Sequence, residues 1–264
     1  MTKIYIENCK DSENTRKKPK YPVSNEYLKP AAKFLTKLSN FDFYDGVCGG
    51  GTQNLYLLQT LHQKNRLKTI TIIDYEKAQL KNFKRIAKIY NSTNDKKEYQ
   101  EKIISNSRIF VRVFNWLNYS TKAEIKVKKL NLKKPVFYKD IRIKLINSDF
   151  NDYISSINLK GKHFIYASNI CNFNLNSSVT KIIKDFFYSL LYYINRPNRL
   201  INFVKTSIID EMSKSILENK SILDGSIVFA VGPAAAINQP YPTVIIIFEK
   251  QNNKLEIIKE YLQK

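Results

Sequence analysis

Two acidic residues on either side of three consecutive glycines form a pattern that can hold an adenosine-containing ligand. An apolar run ends at Asp45, the glycines occupy positions 49–51, and a second apolar run ends at Asp74. Glycine lets the backbone approach a ligand closely, in conformations that a side chain forbids. An acid at the tip of a second strand can accept hydrogen bonds from both hydroxyls of a ribose. The order of these residues therefore predicts a strand, a glycine loop, a helix, a second strand and a ribose-binding acid.

The interval between the glycines and Asp74 favours a nucleotide site over an ordinary strand-to-helix turn. Asp74 follows Gly51 by 23 residues, close to the interval of about 20 that is typical of a ribose-binding acid. Three of the seven glycines in the chain are consecutive here, a concentration that favours a ligand. No Lys-Ser/Thr pair follows the loop, which excludes a phosphate-cradling P-loop.

The composition predicts a single α/β domain whose surface suits a polyanion. With 264 residues and 43% hydrophobic content, the chain is long enough for one such domain with an insertion. The formal net charge of +21, from 44 basic and 23 acidic residues, favours RNA, DNA or an acidic membrane face as a partner. The abundance of Asn, Ile, Lys and Tyr is also typical of AT-rich coding sequence, so a protein with no polyanionic partner is the alternative.

The cysteines and histidines argue against a metal site. Three scattered cysteines and two histidines show no metal-ligand spacing, so we expect no bound metal and reduced thiols. The sequence contains no apolar signal core and no apolar run of about 18 residues, so we expect neither a secreted nor a membrane-spanning protein.

The chain divides into a basic arm and one larger domain with an insertion. Residues 1–23 are polar, with a basic cluster at 16–20, and are expected to form a flexible arm. Residues 24–264 are expected to form a single domain that begins with a helix over about 25–39. Within it, residues 92–140 form a basic insertion: a charged helical stretch and then a period-two segment that predicts a β-hairpin.

Lysines interleaved with Phe137 and Tyr138 in this insertion suit single-stranded RNA, because bases stack on aromatic rings and phosphates pair with lysines. Lysines that keep an edge hairpin from aggregating are an equal alternative. Further along, the pattern predicts a strand over 199–204, a helix over 208–219, two final strands, and an amphipathic helix in the last residues, KLEIIKEYLQK.

The segment that holds the glycines and the two acids resembles the cofactor half of a class I S-adenosylmethionine-dependent methyltransferase, and the resemblance covers roughly residues 41–90 and 140–250 in order. The first motif of that family is an acid and then spaced glycines at the end of strand one. Asp45 matches the acid, and Gly49 and Gly51 match the second and third glycines. Val47 stands where the first glycine is usual, with Gly46 beside it. The resemblance implies a Rossmann-like α/β fold: a mostly parallel sheet with an antiparallel last strand and helices on both faces.

The same resemblance implies S-adenosyl-L-methionine as the cofactor. Asp74 matches the ribose-binding acid, Asp149 after the third strand would lie near the adenine, and Ser168-Asn169 at the tip of the fourth strand would face the transferred group. The cofactor-binding residues implied in this way are Asp45, Gly46, Gly49, Gly50, Gly51, Asn54, Asp74, Tyr75, Asp149, Phe150 and Ser168.

The candidate catalytic residues come from a second likeness, to ribose 2′-O-methyltransferases with a Lys-Asp-Lys-Glu tetrad, including cap-modifying enzymes of large DNA viruses. Lys29 stands in the helix before the first motif, and Lys205 ends the predicted fifth strand, where the family has its base. Such a lysine needs burial and neighbouring charge to lower its pKa from about 10.4 toward neutrality. Asn169 stands in the slot of the aspartate, and Thr243 is about where the glutamate should be.

These features predict a methyltransferase that acts on RNA, at a cap, ribose or base position. The Lys-rich insertion and the N-terminal arm would bind the RNA, and a partner subunit is also considered. Two alternatives stay open. The glycine loop, Ser168-Asn169 and the long insert are also similar to 3-amino-3-carboxypropyl transferases that make betaine lipids, and the fold can serve as a catalytically inactive RNA-binding subunit. We expect a cytoplasmic protein, in the host cytoplasm if the chain is viral.

Overall fold

One mixed sheet with helices on both faces forms the framework of the protein. The computed structural model describes residues 2–7, 28–49, 51–62, 64–103, 105, 133–168, 212–232 and 243–263. The strands are β1 (Ile4–Glu7), β2 (Phe43–Val47), β3 (Thr69–Asp74), β4 (Ile141–Asn147), β5 (His163–Ser168), β6 (Ile227–Gly232), β7 (Thr243–Gln251) and β8 (Lys254–Gln263). The described helices are α1 (Lys29–Leu35), α2 (Thr52–His62), α3 (Lys77–Ser92), α4 (96–103), α5 (Phe150–Ser156) and α6 (212–218).

The eight strands lie in the order β1-β4-β3-β2-β5-β6-β7-β8. Strands β1 to β6 run parallel to one another, whereas β7 is antiparallel to both β6 and β8. The chain leaves β2 toward one edge through β3 and β4, and then returns to the other side of β2 with β5. Ligands of such sheets bind at this switch point, outside the carboxyl ends of the strands. The predicted Rossmann-like α/β fold is therefore confirmed.

The sheet is covered on both faces because its central strands are apolar almost throughout. Every residue of β5 and β6 is buried, as expected for parallel strands between two helix layers. Helices α1 to α4 pack on one face, where Leu58 and Phe83 are completely buried. Helices α5 and α6 pack on the other face through Ile154 and Ile216. These two layers fix the two sides of the crevice described below.

The start of the predicted flexible arm is part of the sheet. Residues Ile4–Glu7 pair in parallel with β4, and Ile4 is buried in the core. This pairing corrects the expectation of a mobile arm for residues 4–7. The basic cluster at 16–20 and the predicted hairpin of the insertion lie outside the described residues, so the division into arm, domain and insertion stays a prediction. A helix does occur at 96–103, within the charged stretch of the insertion.

The predicted C-terminal helix is wrong, because those residues form β8. The turn between β7 and β8 is made by Asn252 and Asn253, which have φ angles of 47° and 59°. Two successive residues with positive φ are typical of the tight turns that join antiparallel strands, and Asn is one of the few residues that adopts them readily. The Asn-Asn pair is therefore the local signal for a hairpin, and it outweighs the weaker helical pattern of the last residues.

The helix expected over about 25–39 is observed as α1, and the helix expected over 208–219 is observed at 212–218. Within the described residues, no helix is both long enough and apolar enough to cross a membrane.

Candidate nucleotide-binding crevice

The glycine loop follows β2 and is shaped by two glycines with positive φ. Gly49 has a φ of 48° and Gly51 a φ of 80°, values that favour glycine, and the N–H of Gly51 donates to the carbonyl of Cys48 at 2.8 Å. A Cβ atom at Gly51 would lie 3.0 Å from Ile86 and 3.1 Å from Phe83, so this glycine lets α3 pack closely. Within the described part of the chain, a Cβ atom at Gly49 would meet nothing within 4 Å. Gly49 therefore faces open space that a ligand can enter.

Asn54 holds the loop from α2. Its amide nitrogen donates to the carbonyls of Val47 at 2.9 Å and Cys48 at 3.2 Å, and its oxygen accepts a hydrogen bond from the Tyr44 hydroxyl at 2.8 Å. A Cβ atom at Gly46 would lie 2.3 Å from this oxygen. The structure thus corrects two predicted ligand contacts: Asn54 is fully buried and occupied, and the space above Gly46 is filled by Asn54 and Tyr44. Both residues position the loop instead.

Two residues that sequence reasoning missed connect the loop to its neighbours. The Gln79 side chain, in the first turn of α3, donates to the carbonyl of Gly49 at 2.9 Å. The Asn147 side chain, at the end of β4, donates to the carbonyls of Asp74 at 2.9 Å and Tyr75 at 2.8 Å. Both amides bind backbone groups, which no sequence motif indicates. Their positions, in the first turn of a helix and at the last residue of a strand, are the only features of the sequence that could have indicated this role.

Asp74 lies at the end of β3, beside the glycine loop. Its Oδ1 accepts a hydrogen bond from the N–H of Glu76 at 2.9 Å, and the side chain is 8% exposed. Burial raises the pKa of this carboxyl to about 7, although backbone hydrogen bonds from Glu76 and Gly49 partly favour the ionised form. Asp74, which is predicted to bind a ribose, thus lies next to the glycine loop. The next residue, Tyr75, is half exposed.

Two buried polar groups without partners lie at the N-terminus of α2, directly after the loop. Among the described residues, neither Oγ1 of Thr52 nor Nε2 of Gln53 has a hydrogen-bond partner, although both side chains are at least 97% buried. Buried polar atoms in native proteins nearly always have partners, and helix N-termini attract polar or anionic ligands. These groups therefore favour a bound ligand at this end of the sheet.

The other predicted cofactor residues lie at the same edge of the sheet. Asp149 is exposed after β4 and caps α5, because its Oδ1 accepts from the N–H groups of Asn151 at 2.8 Å and Asp152 at 3.3 Å. Phe150 is buried in the core on the α5 side. Ser168 is the last residue of β5 and is 6% exposed. Their contact with a cofactor stays a prediction.

The side chain of Asp45 lies on the face of the sheet that α5 covers, opposite the face that α2 and Asn54 cover. Its two carboxylate oxygens accept hydrogen bonds from the Tyr153 hydroxyl at 2.6 Å and from Nδ1 of His163 at 2.7 Å. Nε2 of His163 lies 3.0 Å from the carbonyl of Leu159, so both ring nitrogens face an oxygen that can accept a hydrogen bond. Asp45 is 2% exposed, and it therefore supports the sheet rather than a cofactor.

The alternation of strand side chains explains this correction. Tyr44 and Gly46 face α2, so Asp45 between them must face α5. The cluster of Tyr153, Asp45 and His163 borders a cavity of about 220 Å³ under α5.

The predicted reacting centre falls mostly outside the described residues. Gly50, Asn169 and Lys205 lie there, and of Lys29 only the backbone, as the first residue of α1, is described. The strand expected over 199–204 also lies outside the described residues. The described neighbours of β5 are β2 and Ile227–Gly232. Within the described residues, no group of His, Cys, Asp and Glu side chains could hold a metal ion.

Comparison with known proteins gives only distant likenesses. No family model matches the sequence, and no curated protein matches it. The fold is similar to a candidate rRNA methylase from Clostridium thermocellum (11% identity, 85% of this chain and 77% of that chain, TM-score 0.34). It is also similar to a candidate methyltransferase from Streptococcus mutans in complex with SAH (11%, 90% and 92%, TM-score 0.31). A third similar structure is the rRNA methyltransferase AviRa from Streptomyces viridochromogenes (10%, 84% and 82%, TM-score 0.32). At these values we base no functional inference on the likenesses.

Proposed function

We propose that this protein binds S-adenosylmethionine at the carboxyl ends of β2 and β3 and transfers its methyl group to RNA. The observation that carries the cofactor assignment is the relation between Gly49 and Asp74. An open backbone position with positive φ lies near a buried carboxylate, because the N–H of Cys48, just before Gly49, donates to the carbonyl of Ile73, just before Asp74, at 2.8 Å. This combination fits a nucleoside, whose ribose has two hydroxyl donors.

Asp74 retains enough acceptor capacity for a ribose. A carboxylate offers about four lone-pair positions, and the backbone N–H of Glu76 uses one of them. The remaining positions can accept the two ribose hydroxyls. At the N-terminus of α2, Nε2 of Gln53 is a donor without a partner in the described chain, which suits an anionic or carbonyl group of the ligand.

The loop is held before any ligand binds, which lowers the entropic cost of binding. Asn54 fixes the loop to α2, Gln79 fixes it to α3, and Asn147 fixes the backbone on the C-terminal side of Asp74. These three amides form six hydrogen bonds in total to backbone carbonyls and to Tyr44. The side chains that would touch the ligand therefore sit on a fixed backbone.

The bound cofactor would supply a methyl group on a sulfonium centre, and the acceptor atom must be aligned about 3 Å from it. Ser168 ends β5 at the same edge of the sheet, and Asn169 follows it in sequence. We keep Asn169 as the residue nearest the acceptor. Lys205 and Lys29 stay as candidates for the acid–base role, as the resemblance to the tetrad implies.

RNA as the acceptor is supported by charge. The net charge of +21 gives the protein a strong attraction for polyanions. A cytoplasmic location is part of the proposal, and so is a contribution of the Lys-rich insertion and the arm to RNA binding.

Calorimetric titration with S-adenosylhomocysteine tests the cofactor assignment. We expect the wild type to bind and Asp74→Ala to bind about 10- to 100-fold more weakly, because hydrogen bonds to a charged group contribute about 1.5–3 kcal/mol. Asp152→Ala is the matched control, since Asp152 is an exposed carboxylate in α5 at the same end of the sheet, and its affinity should equal that of the wild type. A wild type that does not bind would remove the enzyme proposal.

Isotope transfer separates the two kinds of chemistry. With the label on the methyl group, we expect incorporation into total RNA and none into a lipid extract. With the label on the aminocarboxypropyl group, we expect incorporation into neither. Transfer of the second label to lipid would instead establish the 3-amino-3-carboxypropyl transferase alternative. Cofactor binding without any transfer would favour the inactive RNA-binding subunit.

A further inference from the structure

Helix α3 carries only positive charges on its exposed face. Its charged residues are Lys77, Lys81, Lys84, Arg85 and Lys88, and the helix has no acidic residue. Three of these side chains are exposed and the other two half-buried. We call this set the α3 stripe.

The spacing of these residues places them on one face. At 100° per residue, positions 77, 81, 84 and 88 fall within about 60° of one another, and Arg85 lies next to them. The opposite face of α3 is buried in the core through residues such as Phe83, Ile86 and Tyr90. The stripe therefore has a fixed orientation, because the helix cannot rotate without exposing that core.

The stripe begins at the crevice. Lys77 is the first residue of α3 and follows Asp74 by three positions, and Gln79 in the same turn contacts Gly49. From Lys77 to Lys88 the stripe extends about 16 Å along the helix, at about 1.5 Å per residue. A polymer that binds along it would have one end at the proposed cofactor site.

The chemistry of the stripe favours a phosphate backbone over a membrane. Membrane-surface helices insert exposed apolar side chains beside their basic residues, whereas the apolar face of α3 is buried in the protein. One strand of a duplex carries a phosphate about every 3.4 Å, so the stripe matches the length of about five phosphates. Lysines bind phosphates as point charges and do not read bases by paired hydrogen bonds.

We infer that the α3 stripe is a docking surface for the phosphate backbone of the RNA substrate, which it leads to the crevice. This inference rests on the proposed function for the identity of the polymer. It differs from the sequence-based expectation, which assigned RNA binding to the insertion and the N-terminal arm. The stripe would determine the path of the RNA across the protein. Residues at the tip of β5 would determine which atom of the RNA accepts the methyl group.

The salt dependence of binding to a short single-stranded RNA tests this surface. The probe variant is Lys77→Gln/Lys88→Gln, which removes two exposed charges from the two ends of the stripe. The slope of log affinity against log salt should fall by about 1.4, at about 0.7 per lost phosphate contact. At about 0.1 M salt this corresponds to roughly 25-fold weaker binding, taking about 1 M as the reference.

Two controls separate this surface from general charge. Lys160→Gln/Lys220→Gln removes the same charge from exposed positions after α5 and α6, on the other face of the sheet, and should leave the slope unchanged. Lys77→Arg/Lys88→Arg keeps the charge and should bind as the wild type does. An equal loss in the Lys160/Lys220 variant, or an unchanged slope in the Lys77→Gln/Lys88→Gln variant, would overturn the inference.

Failure of the inference is distinguishable from failure of the proposed function. The Lys77→Gln/Lys88→Gln variant should bind S-adenosylhomocysteine normally, whereas Asp74→Ala should lose that binding and keep its affinity for RNA. If the Lys77→Gln/Lys88→Gln variant instead loses binding to vesicles that contain anionic lipid, and not to RNA, the surface is a membrane contact and the inference is wrong.

Discussion

Nδ1 of His163 lies 2.7 Å from a carboxylate oxygen of Asp45, and both side chains are almost completely buried. The pair joins β5 to β2, and Tyr153 extends it to α5. β2 lies between β3 and β5 in the sheet. The cluster therefore joins the central strands whose carboxyl ends form the crevice. Asp45 thus serves the site by holding the strands that position it.

Replacing Asp45 should therefore cost stability and leave ligand contacts intact. In Asp45→Ala, the His163 ring and the Tyr153 hydroxyl lose their partner inside the protein, and we expect the free energy of unfolding to fall by about 3–5 kcal/mol. Chemical denaturation followed by circular dichroism measures this loss. The control is Asp42→Ala, directly before β2, whose ion pair with the exposed Lys68 should contribute about 1 kcal/mol or less. Asp42 also accepts a hydrogen bond from the Lys162 N–H, so the total loss should be about 1–2 kcal/mol, still below that of Asp45→Ala. A variant of normal stability that no longer binds S-adenosylhomocysteine would restore Asp45 as a ligand residue.

A side chain at Gly49 should block the crevice. Gly49→Ala places a methyl group in the open space beside Asp74, in a backbone conformation that costs about 1 kcal/mol for an L-residue. We expect at least tenfold weaker binding of S-adenosylhomocysteine in a protein that still folds, measured by calorimetry.

Gly225→Ala is the control for backbone strain. Gly225 also has a positive φ, of 81°, and an added Cβ would meet only the flexible end of Lys162. This variant should lose a similar amount of stability and keep its affinity. If both glycine variants bind equally well, the open space above Gly49 is not the ligand site.

The stability of the free protein should fall as the pH rises toward 7. The pKa of Asp74 is raised to about 7 by burial, against about 3.9 in an unfolded chain. Since the folded state then holds its proton more tightly than the unfolded state, the stabilisation is complete below about pH 4 and is lost as the pH rises through about 7. The change has an upper limit of about 4 kcal/mol. Unfolding curves of the wild type and Asp74→Asn across this range measure it, and parallel curves would contradict the assignment.

Ligand affinity should show the opposite trend. A carboxylate that accepts hydrogen bonds from two ribose hydroxyls must be ionised, so binding of S-adenosylhomocysteine should strengthen as the pH rises through about 7. At about pH 6 only a tenth of the protein has the ionised form, and the affinity should be about tenfold lower than at high pH. Calorimetry in buffers of different ionisation enthalpy would also detect the proton released on binding. An affinity that is independent of pH would mean that Asp74 does not touch the ligand.

The sequence predicts the central strands and their acids well, because apolar runs between helical segments leave few alternatives. Apolar runs in the sequence predict β2 and β3, and the position of Asp74 at the end of the second run predicts its role. The last strand was missed because KLEIIKEYLQK has a helical pattern, and only the Asn252-Asn253 turn and the pairing with β7 decide in favour of a strand. The energy of strand pairing comes, for most strands, from residues that are distant in sequence. A local sequence pattern therefore does not show whether a segment is stabilised as a strand.

Within the site, the residues that bind ligand and those that support the backbone look alike in sequence. Asn54 and Gly46 belong to the glycine motif, yet the Asn54 side chain fills the space beside Gly46. Gln79 and Asn147 belong to no motif, although Gln79 fixes the glycine loop and Asn147 fixes the backbone at Asp74 and Tyr75. Side-chain direction separates these roles, and it depends on which face of a strand or helix a residue occupies.

The outermost position of β8 has a consequence for the protein in solution. Among the described strands, β8 has β7 as its single neighbour, so one row of its backbone amides and carbonyls forms an open border. Three charged side chains, those of Lys254, Glu256 and Lys259, are exposed along this border. Charges on a free strand oppose its addition to the same strand of another molecule. These charges therefore disfavour growth of the sheet by pairing at β8.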